Sequence, residues 1–140
     1  MWPKNPSSEE FGHMITCKLN YYSKHVNNNF LTYSTDKPRS VAGIATLDGL
    51  LYVIGGFDGN NCLSDVDVYD PQTNSWTSVC PLNNPRSAAS VAVMKGRIYT
   101  IGGFNGQFLS TVEVYDPNID QWSYVCNMSI PRVHFGATVV

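Results

Sequence analysis

The chain has 140 residues, 43% of them hydrophobic, and a formal net charge of −2 at pH 7. This length suits one domain or part of one, and the scattered Lys and Arg residues leave no basic face for a nucleic-acid partner. No run of about 18 apolar residues could span a membrane and the first residues lack the apolar core of a secretion signal, so the sequence predicts a cytoplasmic protein without a membrane partner.

The N-terminal part of the chain precedes two repeated segments. Residues 1–16 are rich in Pro, Ser and Asn and fit no strand pattern, so we predict that they are disordered. Residues 17–37 can be aligned with the second half of the repeat unit that follows, with Tyr22 in the place of Tyr69 and Phe30 in the place of Trp76. They are interpreted as the degenerate end of a preceding unit.

One sequence motif, which contains a double glycine, a Tyr-Asp-Pro and a Trp, occurs twice. Gly55 and Gly102 are 47 positions apart, whereas Trp76 and Trp122 are 46 apart, so the second copy lacks one residue after its double glycine. That segment is predicted to be a loop that tolerates changes of length. A period of about 40–50 residues with several short apolar runs is typical of propeller blades. The units are residues 38–84 and 85–130, and residues 131–140 are predicted to be the first strand of a third.

Each unit divides into four predicted strands. The first is apolar and nearly free of charge, as expected of a strand buried on both faces. Asp48-Gly49 and Lys95-Gly96 are two-residue turns into the second strand, the third alternates up to Asp-Pro, and the fourth begins with Trp. The predicted strands are residues 40–47, 50–54, 66–69, 76–79, 88–94, 97–101, 112–115 and 122–125. The predicted fold class is all-β, an incomplete β-propeller with two full four-stranded blades plus partial blades.

The double glycines and the aromatic residues are predicted to have structural roles. A strand that ends in Gly-Gly leaves space beside its backbone, and a Trp about twenty residues later could fill that space. A phosphate-binding loop is excluded, because neither G-x-G-x-x-G nor Gly-Lys-Ser/Thr is present. The residues assigned to this framework are Gly55, Gly56, Tyr69, Trp76, Gly102, Gly103, Tyr115 and Trp122.

Cysteine and histidine spacing predicts free thiols and no metal or cofactor. Cys80 and Cys126 occupy the same place in the two units, and neither Cys17 nor Cys62 has a second Cys two to four residues away. The three His residues are dispersed. We also expect no enzyme, because no Ser-His-Asp or paired-carboxylate arrangement converges; the acidic residues Asp65, Asp67 and Glu113 are interpreted as ordinary solvated charges.

The combination of Pro-Arg-Ser, Tyr-x-Ile-Gly-Gly-Phe-x-Gly, Val-x-Val-Tyr-Asp-Pro and Trp resembles the kelch repeat. More narrowly, it is similar to the repeats of kelch-like proteins, the substrate receptors of cullin ubiquitin ligases. That resemblance implies a kelch-type propeller, closed in the relatives by about six blades. It also implies a BTB domain that binds the cullin and a BACK linker. Residues 1–37 are too few for either, so a fragment is expected, with cullin binding only through a BTB domain absent here.

The resemblance also places a partner-binding face on the loops at one rim. Its residues are the one after each Pro-Arg and the next, the aromatic residue after Gly-Gly, and a side chain a few places further on. The candidates carried over are Ser40, Phe57, Cys62, Ser87, Phe104, Phe108 and His134. Val41 and Ala88 also follow Pro-Arg, but their small apolar side chains are not expected to add specificity. An alternative is that the phenylalanines only cover the glycine turn, and the recurrent Arg39, Arg86 and Arg132 are expected to brace loops rather than contact a partner.

Several functions remain open at this stage. The first is capture of a protein or peptide substrate for a cullin-based ubiquitin ligase. The second is actin or cytoskeleton binding, which some kelch proteins perform with the same fold. The third is that the chain is a non-functional truncated remnant. With an open edge at each end of a two-blade array, the chain is also expected to self-associate.

Overall fold

The computed structural model describes residues 39–139, which form two antiparallel four-stranded sheets and no helix. The first sheet has the order β1-β2-β3-β4 and the second β5-β6-β7-β8, so each sheet is one blade built from consecutive strands. This architecture confirms the predicted fold class. The strands are β1 (Gly43–Leu47), β2 (Leu50–Ile54), β3 (Val66–Asp70), β4 (Ser75–Val79), β5 (Ser90–Met94), β6 (Arg97–Ile101), β7 (Val112–Asp116) and β8 (Gln121–Tyr124).

The predictions for residues 1–16 and 17–37 lie outside the described residues. Within residues 39–139, no helix is long and apolar enough to cross a membrane. The same range holds no group of three His, Cys, Asp or Glu side chains placed to bind a metal ion.

The turn between the first and second strand of each blade has the predicted form. Asp48 and Gly49 have φ angles of 52° and 80°, and Lys95 and Gly96 have φ angles of 51° and 70°. Two consecutive positive φ values define a type I′ turn, whose twist matches that of the adjoining strands. Glycine at the second position adopts this conformation without strain.

The core lies between the two blades. Ala45 pairs with Tyr52, and Tyr52 with Val68, so these side chains share one face of the first blade. This face packs against the second blade, where the Tyr52 and Tyr115 rings lie 5.9 Å apart between centroids. Ile98, at 0% exposure, and Trp122 belong to the same core cluster. Burial between neighbouring blades, rather than within one sheet, therefore stabilises the fold.

The first strands are shorter than predicted. They begin at Gly43 and Ser90 instead of residues 40 and 88. Val41 and Ala88 have φ angles of 46° and 52°, a left-handed conformation that cannot continue an extended strand. At the other end, β8 stops at Tyr124, one residue before the predicted limit.

Residues 131–139 form no strand, which differs from the predicted first strand of a third unit. In both blades the first strand is held by a ladder of hydrogen bonds to the second strand of the same blade. Residues 131–139 have no such ladder within the described range, so they are not held as a strand.

The prediction that each Trp fills the space beside a double glycine is wrong. A Cβ atom at Gly55 would lie 2.4 Å from the carbonyl oxygen of Arg86, and one at Gly102 would lie 2.4 Å from that of Arg132. The backbone of the next unit therefore occupies this space. The tryptophans instead pack on tyrosines, with centroid distances of 5.2 Å for Tyr69–Trp76 and 5.1 Å for Tyr115–Trp122.

The three cysteines in the described residues are free: Cys62, Cys80 and Cys126. We therefore expect all four cysteines, including Cys17, to be alkylated when the chain is denatured without a reductant. Mass spectrometry would count four adducts. A species in which two thiols resist alkylation until reduction would contradict this prediction and the cytoplasmic assignment.

Candidate functional site

Two equivalent loops lie at one rim of the blades. In the first, Ser40 bridges to Phe57 and Phe57 bridges to Cys62. In the second, Ser87 bridges to Phe104 and Phe104 bridges to Phe108. The partners of the second bridge are five positions apart in the first loop (Phe57 and Cys62) but only four in the second (Phe104 and Phe108). The residue missing from the second unit therefore lies between Phe104 and Phe108. Cys62 and Phe108 are therefore structural equivalents at the point where the loop length varies.

The segments after each Pro-Arg are joined side by side along the same rim. The Ala88 N–H donates to the Val41 carbonyl at 2.9 Å, and the His134 N–H donates to the Ala88 carbonyl at 3.1 Å. All three residues have positive φ, that of His134 being 51°. This repeated hydrogen bond places the His134 side chain, which is exposed, beside the rim of the second blade.

The serine hydroxyls hold the rim loops. Ser40 Oγ donates to the Phe57 carbonyl and Ser87 Oγ to the Phe104 carbonyl, both at 3.3 Å. Ser87 Oγ also lies 3.4 Å from Cys62 Sγ, which connects the two loops across the blade boundary. Because Ser87 is only 7% exposed, its hydroxyl positions the loops rather than offering a free hydrogen-bonding group.

The rim loop of the second blade carries an exposed aromatic pair. The rings of Phe104 and Phe108 lie 5.5 Å apart between centroids and are tilted by 59°, a geometry favourable for aromatic pairs. Phe104 is 36% exposed and Phe108 65%. Phe57 is half-buried, and Cys62 rather than an aromatic residue stands at the equivalent of Phe108. The exposed aromatic pair thus belongs to the second blade alone.

Asp58 fixes the longer loop of the first blade. The backbone N–H groups of Asn61 and Asn60 donate to Asp58 Oδ1 at 2.7 and 2.8 Å. These hydrogen bonds hold the pKa of the Asp58 carboxyl below its ordinary value. The rim therefore carries one fixed negative charge beside the first aromatic residue.

Buried arginines support the rim from beneath. Arg86, at 1% exposure, donates to the carbonyls of Gly102 and Thr111 at 2.8 and 3.1 Å and pairs with Glu113 at 2.5 Å. Arg39 makes the equivalent contacts, including an ion pair with Asp67. These contacts agree with the predicted bracing role for both arginines. Arg132 is exposed.

The interpretation of Asp67 and Glu113 as solvated charges is wrong. Glu113 is 0% exposed, and besides Arg86 it accepts hydrogen bonds from the backbone N–H groups of Asn83 and Asn84, at 2.8 and 3.1 Å. The sequence did contain an indication, because an acidic residue follows the Pro-Arg arginine at nearly the same spacing in both units.

The family of the chain follows from its repeats. A family model described as Kelch motif matches residues 38–83 and 85–129. The chain belongs to the kelch-repeat family. Mouse Kelch-like protein 35 is 37% identical over 71 residues, covering 51% of this chain and 12% of that protein. Human Kelch-like protein 4 is 41% identical over 46 residues, covering 33% of this chain and 6% of that protein.

The solved structure of YjhT resembles this kelch chain with a TM-score of 0.60 and 26% sequence identity, covering 66% of this chain and 39% of YjhT. This similarity and the two four-stranded sheets agree with an incomplete kelch propeller. The chain spans about an eighth or less of the length of these two Kelch-like relatives.

Proposed function

We propose that this kelch chain is a protein-interaction module that binds a protein or peptide on the rim formed by the two loops. The observation that carries the proposal is the exposed Phe104–Phe108 pair on a loop held by the buried Arg86. A rigid support lowers the conformational entropy lost on binding, and clustered aromatic side chains commonly supply most of the binding free energy. We infer a binding role rather than catalysis.

The finer proposal is substrate recognition for a cullin-based ubiquitin ligase in the cytoplasm. Its support is the similarity to Kelch-like proteins 35 and 4 over the repeats. In this proposal the rim binds the substrate, and the cullin is reached through a BTB domain that these 140 residues do not supply.

The rim is tested by removing its aromatic pair. A displayed library of random peptides is selected on the wild-type chain, and the enriched peptides are measured by fluorescence anisotropy. We expect Phe104→Ala combined with Phe108→Ala to weaken their binding by at least about tenfold, because truncating a central aromatic contact commonly costs 2 kcal/mol or more. The far-UV circular dichroism spectrum should stay unchanged, since both rings are exposed.

Tyr124→Ala is the matched control, because Tyr124 is 52% exposed but lies on the outer strand β8. It should leave peptide binding unchanged. If Tyr124→Ala weakens binding while the double rim variant binds normally, the outer edge of the blade is the binding surface and the rim assignment is wrong.

A further inference from the structure

The rim loop of the second blade contains the one Asn-Gly pair of the 140-residue sequence, Asn105-Gly106, directly after the exposed Phe104. The equivalent pair in the first rim loop is Asp58-Gly59, since both pairs follow a Gly-Gly-Phe. Gly59 and Gly106 have the same φ angle, 103°, so the two loops turn alike at this glycine. At this point the loops therefore differ in one chemical group, a side-chain amide in place of a carboxylate.

The side chain of Asn105 is exposed and weakly held. Its Oδ1 accepts one hydrogen bond, from the Gln107 N–H at 3.4 Å, which is longer than the usual range for such a bond. Asp58 Oδ1, in contrast, accepts two backbone N–H groups at 2.7 and 2.8 Å. The Nδ2 atom of Asn105 has no hydrogen-bond partner among residues 39–139. The amide is therefore free to turn toward the backbone that follows it.

The next backbone nitrogen, that of Gly106, is equally accessible. Gly106 is exposed, and a Cβ atom built on it would meet no atom beyond its chain neighbours within 4 Å. Its N–H donates to no acceptor in the described part of the chain, and it lies between β6 and β7, where no strand ladder holds it. The nitrogen next to the Asn105 amide is therefore neither shielded by a side chain nor occupied by a hydrogen bond.

We infer that Asn105 is a site of spontaneous deamidation, which places a new negative charge beside the exposed aromatic pair of the rim. The Gly106 nitrogen loses its proton and forms a bond to Asn105 Cγ. The Cγ–Nδ2 bond then breaks, and Nδ2 leaves as ammonia with that proton, so a succinimide ring remains. Water opens the ring at either of its carbonyl carbons and gives aspartate or isoaspartate. The net reaction consumes one water and releases one ammonia, and it makes the formal net charge of −2 more negative by one.

The first rim loop shows that the product fits and that it is stable there. The two N–H groups that hold the Asp58 carboxyl lower its pKa, so this group is ionised at neutral pH. An ionised carboxylate resists attack by the following nitrogen, because it is already negative and its oxygen is a poor leaving group. An aspartate at position 105 would keep the acceptor that Asn105 now offers to the Gln107 N–H. The reaction therefore converts the second loop toward the chemistry of the first.

The consequence for binding rests on the proposed rim function, whereas the reaction itself does not. The rim already carries the fixed charge of Asp58, and the side chains of Cys62 and Ser87 join the two loops at 3.4 Å. After deamidation each loop has a carboxylate next to its phenylalanine. Charges at the edge of a binding surface select partners of opposite charge. The affinity for acidic peptides is therefore expected to fall, and that for basic peptides to rise, as the chain ages.

Mass spectrometry of the tryptic peptide 98–132 measures the reaction in the full chain, incubated either folded or in guanidinium chloride at several pH values. We expect Asn105 to gain the mass of an amide-to-acid conversion at similar rates in both samples. The rate should rise with pH, because the attacking nitrogen must lose a proton. Asn118 in the same peptide is the internal control, since it is exposed but precedes the bulky Ile119 and its Nδ2 donates to Asp116 at 3.0 Å. It should remain an amide in the folded chain.

Two variants separate the reaction from its effect on the rim. Asn105→Gln keeps an amide but would need a larger ring, so its mass should not change, whereas Asn105→Asp carries the new charge from the start. Acidic peptides enriched on fresh wild-type chain should bind severalfold more weakly to aged wild type and to Asn105→Asp, but not to aged Asn105→Gln, and added salt should reduce the difference.

The two parts of the inference fail in different ways. An Asn105 amide that survives in the folded chain while it converts in guanidinium chloride would overturn the inference, because the loop would then protect it. Complete conversion with unchanged peptide affinity would support the modification site and contradict its effect on the rim, and with it the placement of the peptides beside Phe104.

Discussion

Replacing Arg86 by alanine is expected to lower the free energy of unfolding by about 3–5 kcal/mol, because it leaves the Glu113 carboxylate buried without its counter-charge. Arg86 is 1% exposed and Glu113 0%. The substitution also removes the donor to the Gly102 carbonyl, next to the rim loop. A loss of this size is a large fraction of the stability of a small domain. Urea unfolding followed by circular dichroism measures it.

Arg97→Ala is the matched control, because it also removes an arginine that pairs with a carboxylate, but at an exposed position. Arg97 pairs with Asp116 at 2.7 Å, but its side chain is 52% exposed, and exposed pairs contribute only about 0–1 kcal/mol. Its loss should therefore be several times smaller than that of Arg86→Ala. Equal losses from the two variants would show that the buried pair does not stabilise the fold more than a surface pair does.

A double variant separates the ion pair from the packing. Arg86→Met combined with Glu113→Leu removes both charges and keeps similar volumes, so no unpaired charge remains in the interior. Its stability should exceed that of Arg86→Ala. If the double variant is as unstable as the single one, the hydrogen bonds from Arg86 to the backbone carbonyls, rather than the charge pair, carry the stabilisation.

The sequence was sufficient to predict the eight strands of the two blades because their residues repeat with one period. The Asp48-Gly49 turn, the alternation in β3 and β7, and the position of the length change all depend on local pattern, and the structure has them. The bracing role of Arg86 was also predictable, because this arginine recurs with the framework of the repeat. Predicting these features requires only the residues of one unit and a comparison with the second unit.

The burial of Glu113 was not predictable from the same local pattern. In the alternating segment Val112–Asp116 a charged residue normally faces water, because one face of most antiparallel sheets is solvated. In a propeller both faces of a blade are covered by its neighbours, so Glu113 lies between blades and needs a buried cation. The error over the double glycines has the same origin, since Arg86 approaches Gly55 from the next unit.

The two repeat tryptophans are expected to contribute unequally to stability, although the sequence predicts equal roles for them. Trp122 is 6% exposed, packs 5.1 Å from Tyr115 between ring centroids, and donates its indole N–H to the Cys80 carbonyl of the neighbouring blade. Trp76 packs on Tyr69 but is only half-buried, and its N–H has no partner in the described residues. Replacing the Trp by Ala should therefore lower the free energy of unfolding more in the second blade than in the first.

Trp122→Ala should lower the free energy of unfolding by about 3–5 kcal/mol, the usual cost of truncating a buried aromatic residue. Trp76→Ala should cost roughly half as much, because part of its ring already contacts water and no hydrogen bond is lost. Trp122→Phe keeps most of the ring but removes the N–H, so an intermediate loss is expected. The measurement is urea unfolding at a concentration where the chain sediments as a monomer. Equal losses for the two alanine variants would mean that the first blade buries its Trp as completely as the second, and that contact between blades is not what distinguishes them.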